Sequence, residues 1–396
     1  MQDFVTPLSA TSALDQLFSE SPVTAATRRQ AAFDQLANGG GRPIVLYGGG
    51  GLGRVVLKGL RNLGRSPVAF ADRRVGGTGA EIDGVPVFTP SEAATRFGSE
   101  AVFVVSIWNA QTDHRYVVTR DELGELGALH VAPALALFWK YPETFLPYYC
   151  LDVPERVLAA QHDIRCLAEQ LADDASRNVL LRQLRWRLKL DFHALPLPVR
   201  GPAYFQADLL PIRQDELFVD CGAYDGDTVR AFRGRMEGNA ARTIAIEPDP
   251  TSYARLEDYV NTLPLDIRQR VRALKVAVGR NRGKLRFEST GLASAHASET
   301  GILDVECLPL DEILAGETPS LIKMDLEGAE HEALLGGEAT IRRSGPSMAV
   351  CVYHRPDHLW TIPLLLRQML PHHALHLRPH GYEGWDLVCY AVPSRS

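Results

Sequence analysis

The first apolar pattern runs from Ser12 to Asn38, where Leu14, Leu17, Phe18, Phe33 and Leu36 recur at helical spacing and Ser21-Pro22 interrupts them. Two short helices are expected there. At Arg42 the period changes. Ile44-Val45-Leu46-Tyr47 reads as a buried strand, a run of glycines follows, and Arg54 to Leu63 carries Val55, Val56, Leu57 and Leu60 at helical spacing. Val68 to Asp72 and Ala101 to Ser106 supply further strands, and strands alternating with helices imply a parallel sheet.

These patterns predict a helical extension over 1–40 and a smaller Rossmann-like α/β domain over 41–149. From Val153 to Leu190 the apolar positions keep a helical period, broken at Asp173 to Ser176, and Pro196, Pro198, Pro202 and Pro211 follow in a stretch that reads as loop. A helical bridge and linker is therefore expected over 150–204. Strand and helix then alternate again through Glu216–Asp220, Thr243–Ile246, Ala273–Val278, Leu321–Asp325 and Met348–Tyr353. That is the pattern of a doubly wound sheet over 205–396. Leu375-His376-Leu377 and Leu387 to Val392 are too close in sequence for a crossover helix, so they are expected to close the chain as an antiparallel hairpin.

Composition narrows the functional classes. The chain has 396 residues, 45% hydrophobic and 23% charged, which is the mixture of a folded globular protein. Its 42 Lys and Arg against 48 Asp and Glu give a net charge of −6, so nucleic acid and anionic membranes are poor partners. The six cysteines are dispersed without a Cys-x-x-Cys pair, and with no export signal or membrane span in view a reduced, cytoplasmic protein is expected. Homo-oligomers are compatible with this composition.

Two glycine loops differ in charge. Gly48, Gly50 and Gly53 satisfy the G-x-G-x-x-G spacing after a strand, Arg54 follows, and Asp72 stands where a ribose-binding acid belongs. This loop is either a second nucleotide site or a tight turn with nothing bound. The other loop runs through Asp220, Cys221, Gly222, Ala223, Tyr224, Asp225, Gly226, Asp227 and Thr228. Its acids would repel a pyrophosphate. They suit S-adenosylmethionine, whose ammonium and sulfonium are cationic and whose single carboxylate would meet the amides near Asp227 and Thr228. Glu247, followed by Pro248, ends the second strand of this domain, the place for a carboxylate that binds ribose hydroxyls.

The segment from Asp220 to Thr228, Ile246-Glu247-Pro248, and the segment Ile322 to Glu330 together resemble the successive motifs of the FkbM family of S-adenosylmethionine-dependent methyltransferases. The resemblance covers about Phe205 to Val392. It implies a class I methyltransferase fold, the cofactor's methionine part at the Asp220–Thr228 loop, ribose on Glu247, and adenine beside Ala277 and Val278. It also implies methylation of a hydroxyl on a small molecule or sugar. Tyr224 stands where many members have Asn. Separately, Ile44 to Val56 with Ile82 to Val87 resembles the nucleotide-binding N-terminal domain of sugar-modifying acyltransferases.

Proton removal from an acceptor hydroxyl calls for bases at the same sheet edge. Asp325 and His354, at the ends of adjacent strands, are the preferred acid/base candidates, with Glu327 beside them. Asp325 equally suits the cofactor's ammonium, and Glu327 equally suits a helix cap. Glu330, Glu332 and Lys323 read as surface or packing residues. His354 and His358, with His372, His373, His376 and His380, have spacings that Pro371 and Pro379 interrupt, so no metal site is expected. The main expectation is thus a methyltransferase acting on oxygen. Its rivals are an NAD-dependent oxidoreductase using the Gly48 loop and a sugar-nucleotide-binding sensor.

Overall fold

The computed structural model describes residues 10–75, 79–109, 114–210, 213, 215–236, 241–288, 296–297 and 303–394. The chain divides into two compact units. One comprises Met1–Arg165, Asn178–Pro198 and Gly381–Trp385; the other comprises Cys166–Arg177, Val199–His380 and Asp386–Ser396. This differs from the expected division at 149 and 205. The helices Gln161–Gln170 and Asp174–Lys189 each contribute to both units, so the expected bridge is not a separate piece.

In the first unit the two expected N-terminal helices are Ala10–Leu17 and Pro22–Leu36. Ser21 separates them because its hydroxyl accepts the Thr24 amide at 3.1 Å, a side-chain cap that starts the second helix. Phe33 and Ala37 join a core with Ile44, Leu46 and Phe138, so this extension packs into the unit. The strands are β1 (Ile44–Tyr47), β2 (Ala69–Ala71), β3 (Glu81–Ile82), β4 (Val85–Phe88), β5 (Val102–Val105) and β6 (His130–Pro133), in the order β3-β4-β2-β1-β5-β6. Only β3 runs antiparallel, against β4. β1, β2 and β5 are buried along their whole lengths, as their unbroken apolar runs require of a sheet covered on both faces.

The second unit begins its strands with β7 (Leu217–Cys221), β8 (Arg242–Ile246) and β9 (Val271–Leu274), continues with β10 (Ala277–Gly279), β11 (Gly283–Glu288), β12 (His296–Ala297) and β13 (Leu303–Pro309), and ends with β14 (Leu321–Met324), β15 (Ser347–Cys351), β16 (His373–Pro379) and β17 (Leu387–Pro393). Seven of them form one sheet, ordered β16-β17-β15-β14-β7-β8-β9. Its five-stranded part is parallel, and β17 pairs antiparallel with both β15 and β16, as the short C-terminal connection requires.

One strand differs from expectation. The run Ala273–Val278 is split between β9, in the large sheet, and β10, which pairs with β13 in a separate four-stranded sheet. At the end of β10 a Cβ on Gly336 would lie 2.0 Å from the Gly279 carbonyl oxygen, so a helix packs closely there. Residues 166–177 are fastened to β16, where the Ala172 amide donates to Leu375 at 2.9 Å and Asp173 receives His376 and Arg378 at 2.7 Å each. Among the described residues no helix is long and apolar enough to cross a membrane.

Candidate active site

The loop after β7 is shaped by contacts that its glycines permit. Gly222 has φ +84°, and a Cβ there would meet the Asp325 carbonyl oxygen at 1.9 Å; the loop therefore lies directly against the end of β14. Gly226 has φ +86° and starts the helix Asp227–Gly234. Asp220 is fully buried, with the Lys323 ammonium 3.1 Å from Oδ1. Burial pushes Asp220 up to about 6 against the pull of Lys323. Burial works the other way on Lys323, but Asp220 and Asp325 keep it protonated above its ordinary range. Lys323 also donates to the Gly222 carbonyl at 2.6 Å, so it is a structural part of this loop rather than a bystander in a strand.

Glu247 stands just beyond β8 and is 7% exposed. Its Oε2 accepts the Tyr224 amide and its Oε1 the Asp249 amide, both at 2.8 Å. Burial raises it to about 7 even so. Each oxygen retains lone-pair capacity for a further donor. Tyr224 has φ +47°, a conformation in which Asn is more at ease than Tyr. Across Pro248, Asp249 caps the helix Pro250–Thr262 by accepting Thr251 and Ser252 amides at 3.0 and 2.9 Å.

Two facts bear on the expected cofactor contacts. The Asp227 amide donates to Asp225 at 3.1 Å and the Thr228 amide to Asp227 at 2.7 Å, so the amides expected to receive a cofactor carboxylate already have partners within the loop. Ala277 and Val278 lie in β10, in ladder register with Cys307 and Leu308. The connection that leaves the large sheet beside Glu247 is instead the one after Leu274, whose carbonyl accepts the Glu247 amide at 3.0 Å.

The ends of β14 and β15 bring Asp325, Glu327 and His354 together. His354 Nε2 lies 3.3 Å from Asp325 and 3.8 Å from Glu327, while Nδ1 lies 2.6 Å from Glu330. Glu330, read as a surface or packing residue, is completely buried. It also accepts the Leu326 and Gly328 amides at 2.8 and 3.4 Å and faces His358 Nδ1 at 3.2 Å. Burial alone would neutralise both members of the pair. Instead His354 holds Glu330 well below the usual carboxylate range, and Glu330, with Glu327 and Asp325, drives His354 up to about 10. His354 is therefore a cation at neutral pH and a poor proton acceptor.

The exposed members of the cluster are its carboxylates: the side chains of Asp325 and Glu327 are 25% and 18% exposed, against 1% for His354. Tyr204 donates its hydroxyl to Asp325 Oδ2 at 2.7 Å, and nothing local in the sequence links the two. Burial, opposed by the His354 charge, lifts Glu327 to about 7, close to the proton affinity wanted of a base at neutral pH. Glu327 sits at φ +50° and Gly328 at +101°, a tight turn that turns the Glu327 side chain back over His354.

Ligand atoms of Asp325, Glu330 and His354 lie within 4.8 Å of one another, the set among the described residues that could hold a metal ion. Metal binding would require a deprotonated imidazole, which the surrounding acids oppose. The histidines near the C-terminus serve other partners: His373 faces the Gly345 carbonyl, His376 pairs with Asp173, and His380 with the Tyr390 hydroxyl.

The Gly48 loop of the first unit is held from within. Gly48 has φ +109°, and a Cβ on Gly53 would be 2.0 Å from the Gly48 carbonyl oxygen, so these glycines serve the close approach of loop and helix. Asp72, expected to bind ribose, accepts the Gly49 amide at 2.8 Å and the Arg74 and Val75 amides at 2.7 and 3.1 Å. Arg54 pairs with Asp83 at 3.2 Å. Gly50 and Gly51 meet no neighbour at their Cβ positions, leaving backbone open there.

The acid-bearing loop has room in its hydrogen bonding for a ligand. Asp220 is fully buried and paired with Lys323 at 3.1 Å, while Glu247 has acceptor capacity left, suited to hydroxyls.

Known proteins resemble this chain in sequence and in fold. Residues 220–383 match the model of the methyltransferase FkbM domain. Over 200 residues the chain is 31% identical to the 2-O-methyltransferase NoeI of Sinorhizobium fredii, covering 43% of this chain and 78% of that protein. The crystal structure of methyltransferase FkbM from Methylobacillus flagellatus KT superposes with a TM-score of 0.77 at 22% identity, over 96% of this chain and 98% of that one. The mixed α/β class I methyltransferase fold follows.

Proposed function

The chain belongs to the FkbM methyltransferase family, and from that premise we propose that it moves a methyl group from S-adenosylmethionine to a hydroxyl oxygen of a small-molecule or sugar acceptor. The observation that carries this reading is the cluster at the ends of β14 and β15, where two partly exposed carboxylates flank a buried, positively charged imidazole. Such a cluster can remove a hydroxyl proton without itself becoming a nucleophile. A relative named as a 2-O-methyltransferase favours oxygen over nitrogen as the acceptor atom.

When bound, the cofactor would supply an electrophilic methyl group on a sulfonium. Glu247 would accept the ribose hydroxyls, and Asp220, through its pairing with Lys323, would hold the Gly222 turn against which the methionine part would lie. Glu327 is assigned the role of general base, since its proton affinity is near neutral and its carboxylate is reachable. Asp325 would orient the acceptor hydroxyl, steadied by Tyr204 on one oxygen and His354 on the other. His354 would keep both carboxylates in place and offset their negative charge before Glu327 takes the hydroxyl proton. Held alignment of acceptor and donor accounts for most of the rate in such a transfer.

The test is direct. Calorimetry should detect S-adenosylhomocysteine binding in the wild type, and mass spectrometry should find a 14-dalton gain on a hydroxyl-bearing acceptor from a panel of sugars and phenols (about one methylene). Binding of NAD with no binding of S-adenosylhomocysteine would overturn the proposal. Methylation confined to amines would overturn the assignment to oxygen.

A further inference from the structure

The first unit contains a cavity of about 360 Å³, including its open mouth, that the methyl-transfer reading does not use. It lies where ligand sites are favoured in open α/β sheets. The chain moves from β1 to β2 on one side and returns to β5 on the other, and the cavity is lined by Leu52, which follows β1, and by Val105 at the end of β5. A crevice at the carboxyl ends of two such strands is the topological switch point of the sheet.

Its lining is unusual in chemistry. Trp108, Tyr116, Phe138, Trp186 and Phe192 supply aromatic surface, and Glu383 supplies the one ionisable carboxylate, with no cationic side chain among the residues that line it. Glu383 is 7% exposed. Its Oε1 accepts the Tyr116 amide at 2.5 Å, and its backbone carbonyl accepts the Trp108 indole N–H at 3.0 Å. Among the described residues nothing donates to the other carboxylate oxygen. Burial pushes Glu383 up to about 7, with the Tyr116 amide and the more distant Arg115 opposing. A buried carboxylate without a paired cation is costly, and a ligand cation would relieve it.

We propose that this cavity is a binding site for an organic ammonium ion, its cationic head held between the aromatic faces and the Glu383 carboxylate. Aromatic faces attract such cations through their negative π surfaces. The alternatives fit less well. A hydrated metal ion needs several oxygen ligands, and the lining side chains offer one carboxylate. A diphosphate would meet like charge at Glu383. The two-sided match, apolar rings for alkyl groups and a carboxylate for the charge, selects a substituted ammonium over either. This inference is independent of the proposed methyl transfer, because every lining residue belongs to the first unit.

The experiment titrates the full chain with choline and with its uncharged isostere 3,3-dimethyl-1-butanol, following tryptophan fluorescence and heat. Choline is expected to bind about tenfold more tightly than the alcohol. In Glu383→Gln, which keeps an oxygen for the Tyr116 amide, that preference should fall to about twofold or less. Trp108→Leu should weaken choline by a similar factor and keeps the test decisive if Glu383→Gln does not fold. Equal affinity for choline and the alcohol in the wild type overturns the proposal, as does a preference unchanged in both variants. Quenching by NAD or uridine diphosphate in place of choline would assign the cavity to a nucleotide and overturn it too.

Discussion

His354 and Glu330 form an interior ion pair, Nδ1 and Oε1 2.6 Å apart with side-chain exposures of 1% and 0%. The same carboxylate accepts the amides of Leu326 and Gly328, so one residue fixes both the imidazole and the turn that carries Glu327. Breaking one member of such a pair leaves an uncompensated interior charge. Glu330→Gln is therefore expected to destabilise the protein by about 3–5 kcal/mol, read as a lower urea midpoint. Imidazole NMR should report a lower His354 proton affinity in this variant than in the wild type; an unchanged value would contradict the pairing.

Glu327→Gln removes the assigned base while preserving its shape. Turnover should fall by about 10²–10⁴, and the rise in rate through pH 7 should disappear with it. The affinity for S-adenosylhomocysteine should be unchanged. A variant that still shows the acid limb would transfer the base role to Asp325.

Glu247→Ala is expected to weaken S-adenosylhomocysteine binding by about tenfold or more, the loss of a charge-assisted hydrogen-bond acceptor. Asp72→Ala should leave that affinity alone but lower stability by about 1–3 kcal/mol, since the Gly49, Arg74 and Val75 amides lose their acceptor. Calorimetry and thermal unfolding of the two variants separate the roles. Equal cofactor affinity in wild type and Glu247→Ala would remove Glu247 from the ribose site.

Gly222→Ala places a methyl group 1.9 Å from the Asp325 carbonyl at φ +84°. A cost of about 3 kcal/mol or more is expected from clash and backbone strain together. An unfolding midpoint like that of the wild type would mean that the loop can withdraw from β14.

Stability should also decline as pH rises. Glu247, Glu327 and Glu383 have folded values near 7, raised above the ordinary 4.5, so their contribution is full below about 4.5 and is lost as pH climbs through 7. His354, raised from 6.5 to about 10, keeps its contribution below 6.5 and loses it through 10. Glu330 has the opposite sign and loses its contribution as pH falls below 4.5. Denaturation curves should thus show greater stability near pH 5 than at pH 8, and the reverse order would contradict these assignments.

The apolar periods of β1, β7, β14 and β15 were readable because fully buried strands leave unbroken runs, and the strand-end rule then located Asp325, Glu247 and the turn bearing Glu327. Ala273–Val278 reads as one strand because a single apolar run serves two sheets, which the local pattern cannot show. The four-stranded sheet does carry a period of two, with Leu285 and Phe287 in β11 and Leu303, Val305 and Cys307 in β13, but these strands stand outside the elements expected above. The role of Glu330, read as a surface or packing residue, is hidden in the sequence because its partners, His354 and His358, lie more than twenty residues away. Tyr204 was invisible for the same reason, being 121 residues from Asp325. The motif residues were legible; the residues that hold them were not.

Six segments alternate between the two units, so the chain changes unit five times. A cut at any single linker would strand part of one unit with the other: a fragment starting at Val199 would lack Cys166–Arg177 while still carrying Gly381–Trp385. Neither portion is a portable module. Expressed separately, the halves divided at Val199 should be more open to proteases than the intact chain.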